Sequence, residues 1–175
     1  MPALPVPRAP NGMPLASFGD RFLALLIDAA VLTGVALVLA IPTFIGMFLV
    51  IAASVPTSEG GAEPDVSLLI GVPLLIELGY FVLVLALQYV YQVEMFGKTG
   101  VTWGKRAMKL HIIRLDDPNR PMDRGTLAKR WATQNVVGLV VPFFSWLDGL
   151  WQLWDKPYQQ CLHDKAAGTI VVKAG

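Results

Sequence analysis

The sequence predicts an α-helical membrane protein with two long transmembrane helices, a third broken or re-entrant hydrophobic segment, and a small cytoplasmic two-stranded β element. Three observations predict it. The 175 residues are 54% hydrophobic and only 15% charged, where a soluble domain carries roughly 25% charge. Phe22–Ala53, Val66–Tyr91 and Trp131–Trp154 run for 32, 26 and 24 residues with one acid each and no base, and about 18 apolar residues suffice to cross a hydrocarbon core roughly 30 Å thick. Two β-branched runs, Leu110–Leu115 and Thr169–Val172, are isolated in the chain, and a lone strand leaves its backbone groups and apolar face unpartnered, so each needs the other. Together these exclude an ordinary soluble enzyme and a disordered chain. The single cysteine, Cys161, excludes a disulfide scaffold, and a net charge of +1 argues against a nucleic-acid binder.

Residues 1–17 contain prolines at 2, 5, 7, 10 and 14, which forbid a helix, and they read as a disordered, mobile tail ahead of a single membrane domain over 18–175. The first hydrophobic stretch is too long for a cleavable signal, whose apolar region runs about 7–15 residues. As one straight helix it would reach roughly 48 Å. Pro42 is therefore expected to kink or end the first span, giving about 22–41, extended to 53 at an angle or in the interface. Ser54–Asp65 carries Glu59, Glu63 and Asp65 without a base. Asp65 is placed to N-cap the second span, 66–91, which Pro73 should bend near its start.

Gln92–Arg130 carries nine Lys/Arg and four acids. Positive-inside counting places it, and the N-terminus, in the cytoplasm. This basic module, 92–130 with 155–175, includes both β-branched runs, so their pairing would bring the C-terminus to the cytoplasm too. In the third segment, 131–154, Pro142 near the middle and a Ser145-x-x-Asp148 capping box predict a broken, re-entrant helical hairpin. The other reading is a single span, with Trp131 and Trp151/Trp154 as two aromatic belts roughly 34 Å apart.

The acids within the spans are the candidate functional groups. An aspartate at the centre of a spanning helix costs about 2.5–3.5 kcal/mol and requires a partner, a proton or water. Asp28 follows Arg21 by two turns on nearly the same face. In the structural reading Arg21 snorkels and Asp28 bonds to a neighbouring helix or to the basic loop; in the functional reading Asp28 binds a cation or proton. Glu77 shares a helical face with Tyr80, Gln88 and Tyr91. That stripe is either a seam between helices or the lining of a pathway, and Glu77 and Asp28 lie within about two turns in depth, close enough to share a cavity. Cys161, His163 and Asp164 offer three donors but no second cysteine pair, so no metal is assigned. No phosphate loop, nucleophile elbow or HExxH pattern occurs; no enzyme class and no cofactor is supported.

Three segments in this order carry a resemblance. Arg21-Phe-Leu-Ala-Leu-Leu-Ile-Asp28, then Gly100-Val-Thr-Trp-Gly-Lys-Arg106 with Leu110-His-Ile-Ile, then Leu162-His163-Asp164-Lys-Ala-Ala-Gly168-Thr169-Ile-Val-Val together resemble the RDD family of small bacterial membrane proteins, over about Ala16–Val172. The resemblance implies that Arg21, Asp28 and Asp164 are the name-giving residues, and that Thr102, Gly104, Lys105, His163 and Gly168 belong to structural motifs. Trp103 stands where the family commonly has proline, leaving Thr102 as the cap of a short helix. It also implies a multi-pass protein of the bacterial inner membrane. The activities suggested across the family are transport of unidentified ligands, cation/proton exchange, and regulation of a membrane partner.

The expected function is thus a transporter or transport component that handles a small ion or proton through Asp28 and Glu77. The alternative is a non-transporting adaptor that docks a partner through its basic cytoplasmic module. Two or three spans scarcely enclose a pathway, so transport would call for a homo-oligomer or a membrane protein partner besides the lipid bilayer.

Overall fold

A computed structural model describes residues 7–55 and 65–174. Glu59 and Glu63 of the expected outer loop, and the first six residues of the expected tail, lie outside the described residues. The chain divides into two compact units, Ala30–Gln88 and a discontinuous one made of Met1–Ala29 with Tyr89–Gly175.

Ala30–Gln88 holds the apolar lengths of two helices, α1 (Phe18–Ser54) and α2 (Ser67–Thr99). Both are long and apolar enough to cross a membrane. Their large side chains are not covered by protein: Leu37, Phe48 and Leu75 are 62%, 69% and 69% exposed. A continuous apolar surface of this kind needs a non-aqueous neighbour. Of the two outcomes expected at Pro42, an end to the helix is not found: the first helix is continuous through it. Proline removes one backbone donor, and a long apolar helix tolerates that single loss. Asp65 opens the second helix as expected, its carboxylate accepting the Ser67 amide at 2.9 Å. The turn Ser67–Gly71 is widened to i→i+5 bonding, with the Val72 amide reaching the Ser67 carbonyl. This wider turn ahead of Pro73 accommodates its ring. Tyr80 donates its hydroxyl to the Ala36 carbonyl at 3.0 Å, a seam between the helices.

In the discontinuous unit, α2 continues past the expected end at Tyr91 to Thr99, burying Tyr91, Val93 and Phe96. Gly100 takes a left-handed conformation to stop it. The short α3 (Trp103–Ala107) leads into β1 (Leu110–Arg114). A helix over 124–140 (α4) follows, its N-terminus capped by Asp123, which accepts the Thr126 amide at 2.9 Å. Then come α5 (Phe144–Trp151), α6 (Leu162–Ala167) and β2 (Thr169–Lys173). β1 and β2 pair antiparallel, with Leu110 opposite Lys173 and Arg114 opposite Thr169. This is the expected sheet, and His111 is exposed on it.

The break at Pro142 is present: Val141 is extended and Phe143 left-handed between α4 and α5. The capping box is not. α5 begins at Phe144, ahead of Ser145, and Asp148 turns inward instead. The expected mobile tail is ordered from Pro7. Leu15 bridges to Val172, the Ala16 amide reaches the Val171 carbonyl at 3.1 Å, and the Lys173 amide reaches the Pro14 carbonyl at 2.9 Å. Proline blocks a helix but not an edge strand, and Ala9, Leu15 and Ala16 bury enough apolar surface to hold the segment against β2. Two apolar clusters result. One joins Ala16, Ala24, Val93, Phe96, Leu110, Ile112, Leu127 and Val171; the other joins Ala9, Leu15, Ile170 and Val172.

Candidate functional site

Within the discontinuous unit a cavity of about 270 Å³ is lined by Asp28 and Arg21 from α1, Lys105 from α3, Arg130 from α4, Asp148 from α5 and Asp164 from α6. Each acid has a different set of partners.

Asp28 is 7% exposed. One carboxylate oxygen accepts the Tyr91 hydroxyl at 2.6 Å and the Gly104 amide at 2.7 Å. The other accepts the Thr102 hydroxyl at 2.6 Å, with the Lys105 ammonium 3.6 Å away. Asp28 therefore supplies the N-terminal cap of α3, the position Thr102 was expected to fill. Thr102 holds the right backbone place, but its hydroxyl donates to Asp28. A negative charge at a helix start, fixed by three donors, is stabilising. Gly104 makes this close approach possible: a Cβ there would lie 2.1 Å from the Ala24 carbonyl oxygen and 2.8 Å from the Asp28 carboxyl carbon. The Trp103 amide, which a proline would lack, donates to the Tyr91 hydroxyl at 3.1 Å.

Arg21 does not pair with Asp28, nor does it snorkel. Its side chain is 8% exposed and reaches Asp164 and the Val171 carbonyl, both at 3.3 Å. Asp164 is fully buried. It also pairs with Arg130 and accepts the Cys161 amide at 3.2 Å. Arg130, one turn before the apolar part of α4, is the residue that arrives at the site. Burial works to raise the Asp164 pKa, but Arg130, then His163 and Arg21, outweigh it and hold the carboxyl well below the usual range. Arg130 also donates to Thr169 at the start of β2. One carboxylate thus ties α1, α4, α6 and the sheet.

Asp148, 2% exposed, accepts the His163 amide at 2.8 Å and shares a 2.6 Å hydrogen bond with His163 Nδ1. It docks α5 on α6. Gly168 closes α6 in a left-handed conformation. Cys161, His163 and Asp164 place their donor atoms within 4.8 Å of one another. The set is a poor cation site. Asp164 is bonded to two arginines. Burial, with the Asp164 charge, pushes the Cys161 thiol up to about 12, away from the thiolate that metals bind.

Glu77 is exposed in the Ala30–Gln88 unit, with no hydrogen bond or ion pair among the described residues, and it does not line the cavity that Asp28 lines. Asp28 and Glu77 fall in different units of the chain. Of the stripe, Tyr80 and Tyr91 make hydrogen bonds to α1. Arg130 and the Asp148–His163 pair went unread in the sequence, and Tyr91 was read only as part of the stripe with Glu77. Arg130 has no acid within helical reach on either side, a signal that it bonds far along the chain.

No curated protein and no solved structure matches the chain. A family model described as RDD family matches residues 15–168. That match takes in the first two segments and the third as far as Gly168, and with them Arg21, Asp28 and Asp164, and the chain belongs to the RDD family.

Proposed function

We propose that this protein is a multi-pass protein of the bacterial inner membrane that holds a rigid module at the cytoplasmic face and acts there as a non-transporting adaptor for a membrane partner. The observation that carries this is the bonding of Asp28. Its two oxygens take three hydrogen bonds and a lysine, and an acid so occupied is a fastening rather than an exchangeable ion site. The module works by binding, without covalent chemistry.

The orientation rests on nine bases in Gln92–Arg130 against none in Ser54–Asp65. It is supported by the pairing of β1 with β2 and of the N-terminal segment with Val172, which puts three distant parts of the chain in one unit. We infer that 131–154 dips into the bilayer from the cytoplasmic side and returns. The break at Val141–Phe143 and the uncovered Val140, Phe143 and Trp146, at 77%, 82% and 72% exposure, favour this.

Transport is the second reading, favoured by the cavity that reaches Asp28. Proton and sodium flux into liposomes separates the two. The adaptor reading expects wild-type protein to match empty liposomes; flux that Asp28→Asn abolishes in a folded protein overturns it.

A further inference from the structure

We propose that the cavity beside Arg21, Lys105 and Trp131 binds the phosphate headgroup of an anionic phospholipid, with the lipid chains lying along the apolar rim formed by Phe22, Leu25 and Trp146. The proposal rests on the membrane-embedded reading above, but not on the choice between adaptor and transporter.

Charges in the cavity balance in number: Arg21, Lys105 and Arg130 face Asp28, Asp148 and Asp164, with His163 beside Asp148. Hydrogen-bonding capacity does not balance. The acids are spent, Asp28 on Tyr91, Thr102 and Gly104, Asp148 on His163, and Asp164 on Arg21, Arg130 and the Cys161 amide. Donors remain. Arg21 Nε and Trp131 Nε1 are buried and have no partner among the described residues. Lys105 stands 3.6 Å from Asp28 and 3.4 Å from the Thr102 hydroxyl, longer than a good hydrogen bond of about 2.7–3.2 Å. Burial lowers its pKa, with Asp28 opposing, and an entering anion would favour its charged form. An orphaned buried donor costs about 1–3 kcal/mol. A group rich in acceptor oxygens relieves all three at once, and phosphate presents such oxygens on a negative charge.

The rim says what is attached to that phosphate. Phe22, Leu25 and Trp146 are 47%, 51% and 72% exposed and border the same cavity. Phe22 and Leu25 stand where the charge-free stretch of α1 begins, at headgroup depth in a cytoplasmic-side leaflet. A volume near 270 Å³ lies just under the roughly 300–1,000 Å³ of small-molecule sites, so it admits a headgroup and leaves the acyl chains outside.

The test uses full-length protein extracted from membranes in mild detergent. Native mass spectrometry records bound phosphatidylglycerol, phosphatidylcholine and inorganic phosphate for wild type, Lys105→Gln and Trp131→Phe. Trp131→Phe removes one N–H while keeping a ring against Tyr89, whose centroid is 5.2 Å away. Wild type is expected to retain phosphatidylglycerol over phosphatidylcholine, and each variant to bind it about tenfold more weakly while still eluting as folded, monodisperse protein. Equal retention of the two lipids, or variants that bind like wild type, overturns the site. Displacement of phosphatidylglycerol by an equal concentration of inorganic phosphate overturns the lipid assignment. Recovery of the protein from the soluble fraction instead sinks the membrane reading beneath it.

Discussion

Asp28 accepts the Gly104 backbone amide at 2.7 Å across 76 residues of chain, so an acid of the first hydrophobic helix begins a helix in the basic loop. The loop is held to the helix by charge and by backbone contact at one place, which makes several substitutions informative.

Gly104→Ala is expected to abolish folded protein. The added carbon would sit 2.1 Å from the Ala24 carbonyl oxygen, and backbone cannot step aside as a side chain can. The cost exceeds the roughly 1–3 kcal/mol of ordinary overpacking. Size-exclusion profiles in detergent check this; a normal monodisperse peak for the alanine variant contradicts it.

Tyr91→Phe is expected to lower stability by about 1.5–3 kcal/mol, the worth of one hydrogen bond to a charged group. Asp28→Asn should cost more, since it removes the charge facing Lys105 as well. Both are read as shifts in melting temperature. Unshifted melting of both variants would show that the Asp28 network contributes nothing to the fold.

Asp164→Asn is expected to cost about 3–5 kcal/mol, because it leaves Arg21 and Arg130 buried without their anion. The folded carboxyl is held below its ordinary 3.8. The stability it adds is therefore complete above that value and is lost only as pH falls beneath it, through the depressed range. Melting followed from pH 6 to pH 3 should find wild type losing this contribution only at the acid end, and the variant low throughout. A variant as stable as wild type at pH 6 refutes the assignment.

A cysteine placed at Ser58 is expected to react with a membrane-impermeant maleimide in intact cells, and one at Asn119 only after lysis. The native Cys161 needs no removal. It is 6% exposed, and burial pushes its thiol up to about 12, so it stays protonated and silent near neutral pH. Labelling in the opposite pattern inverts the topology.

The parts of this architecture that depend on local pattern were legible before the structure. Two β-branched runs found each other, Pro142 broke its helix, and Asp65 capped the next, because each follows from neighbouring residues and backbone chemistry. The pairings of buried charges were not legible. Two helical turns separate Arg21 from Asp28, yet Arg21 reaches Asp164, 143 residues on; Asp28 bonds to the basic loop, as its structural reading expected, but the sequence did not single out Gly104. Nothing in a linear pattern ranks one distant acid above another. Asp148 misled for a related reason: a serine three residues earlier imitates a cap, while the true partner, His163, lies 15 residues later. Residues 7–17 misled through proline, which excludes a helix but says nothing against an edge strand.

Because the discontinuous unit is closed by its two ends, the order of synthesis matters. Arg21 leaves the ribosome 143 residues before Asp164, an interval of about 7–30 s at roughly 5–20 residues per second. Throughout it, the first helix is already made while its arginine lacks its anchor and Leu15 has no strand to join, whereas Asp28 waits only for Gly104. Closure of the module therefore waits for α6 and β2, and a ribosome that stalls before Asp164 leaves Arg21 and Arg130 without the carboxylate that joins them.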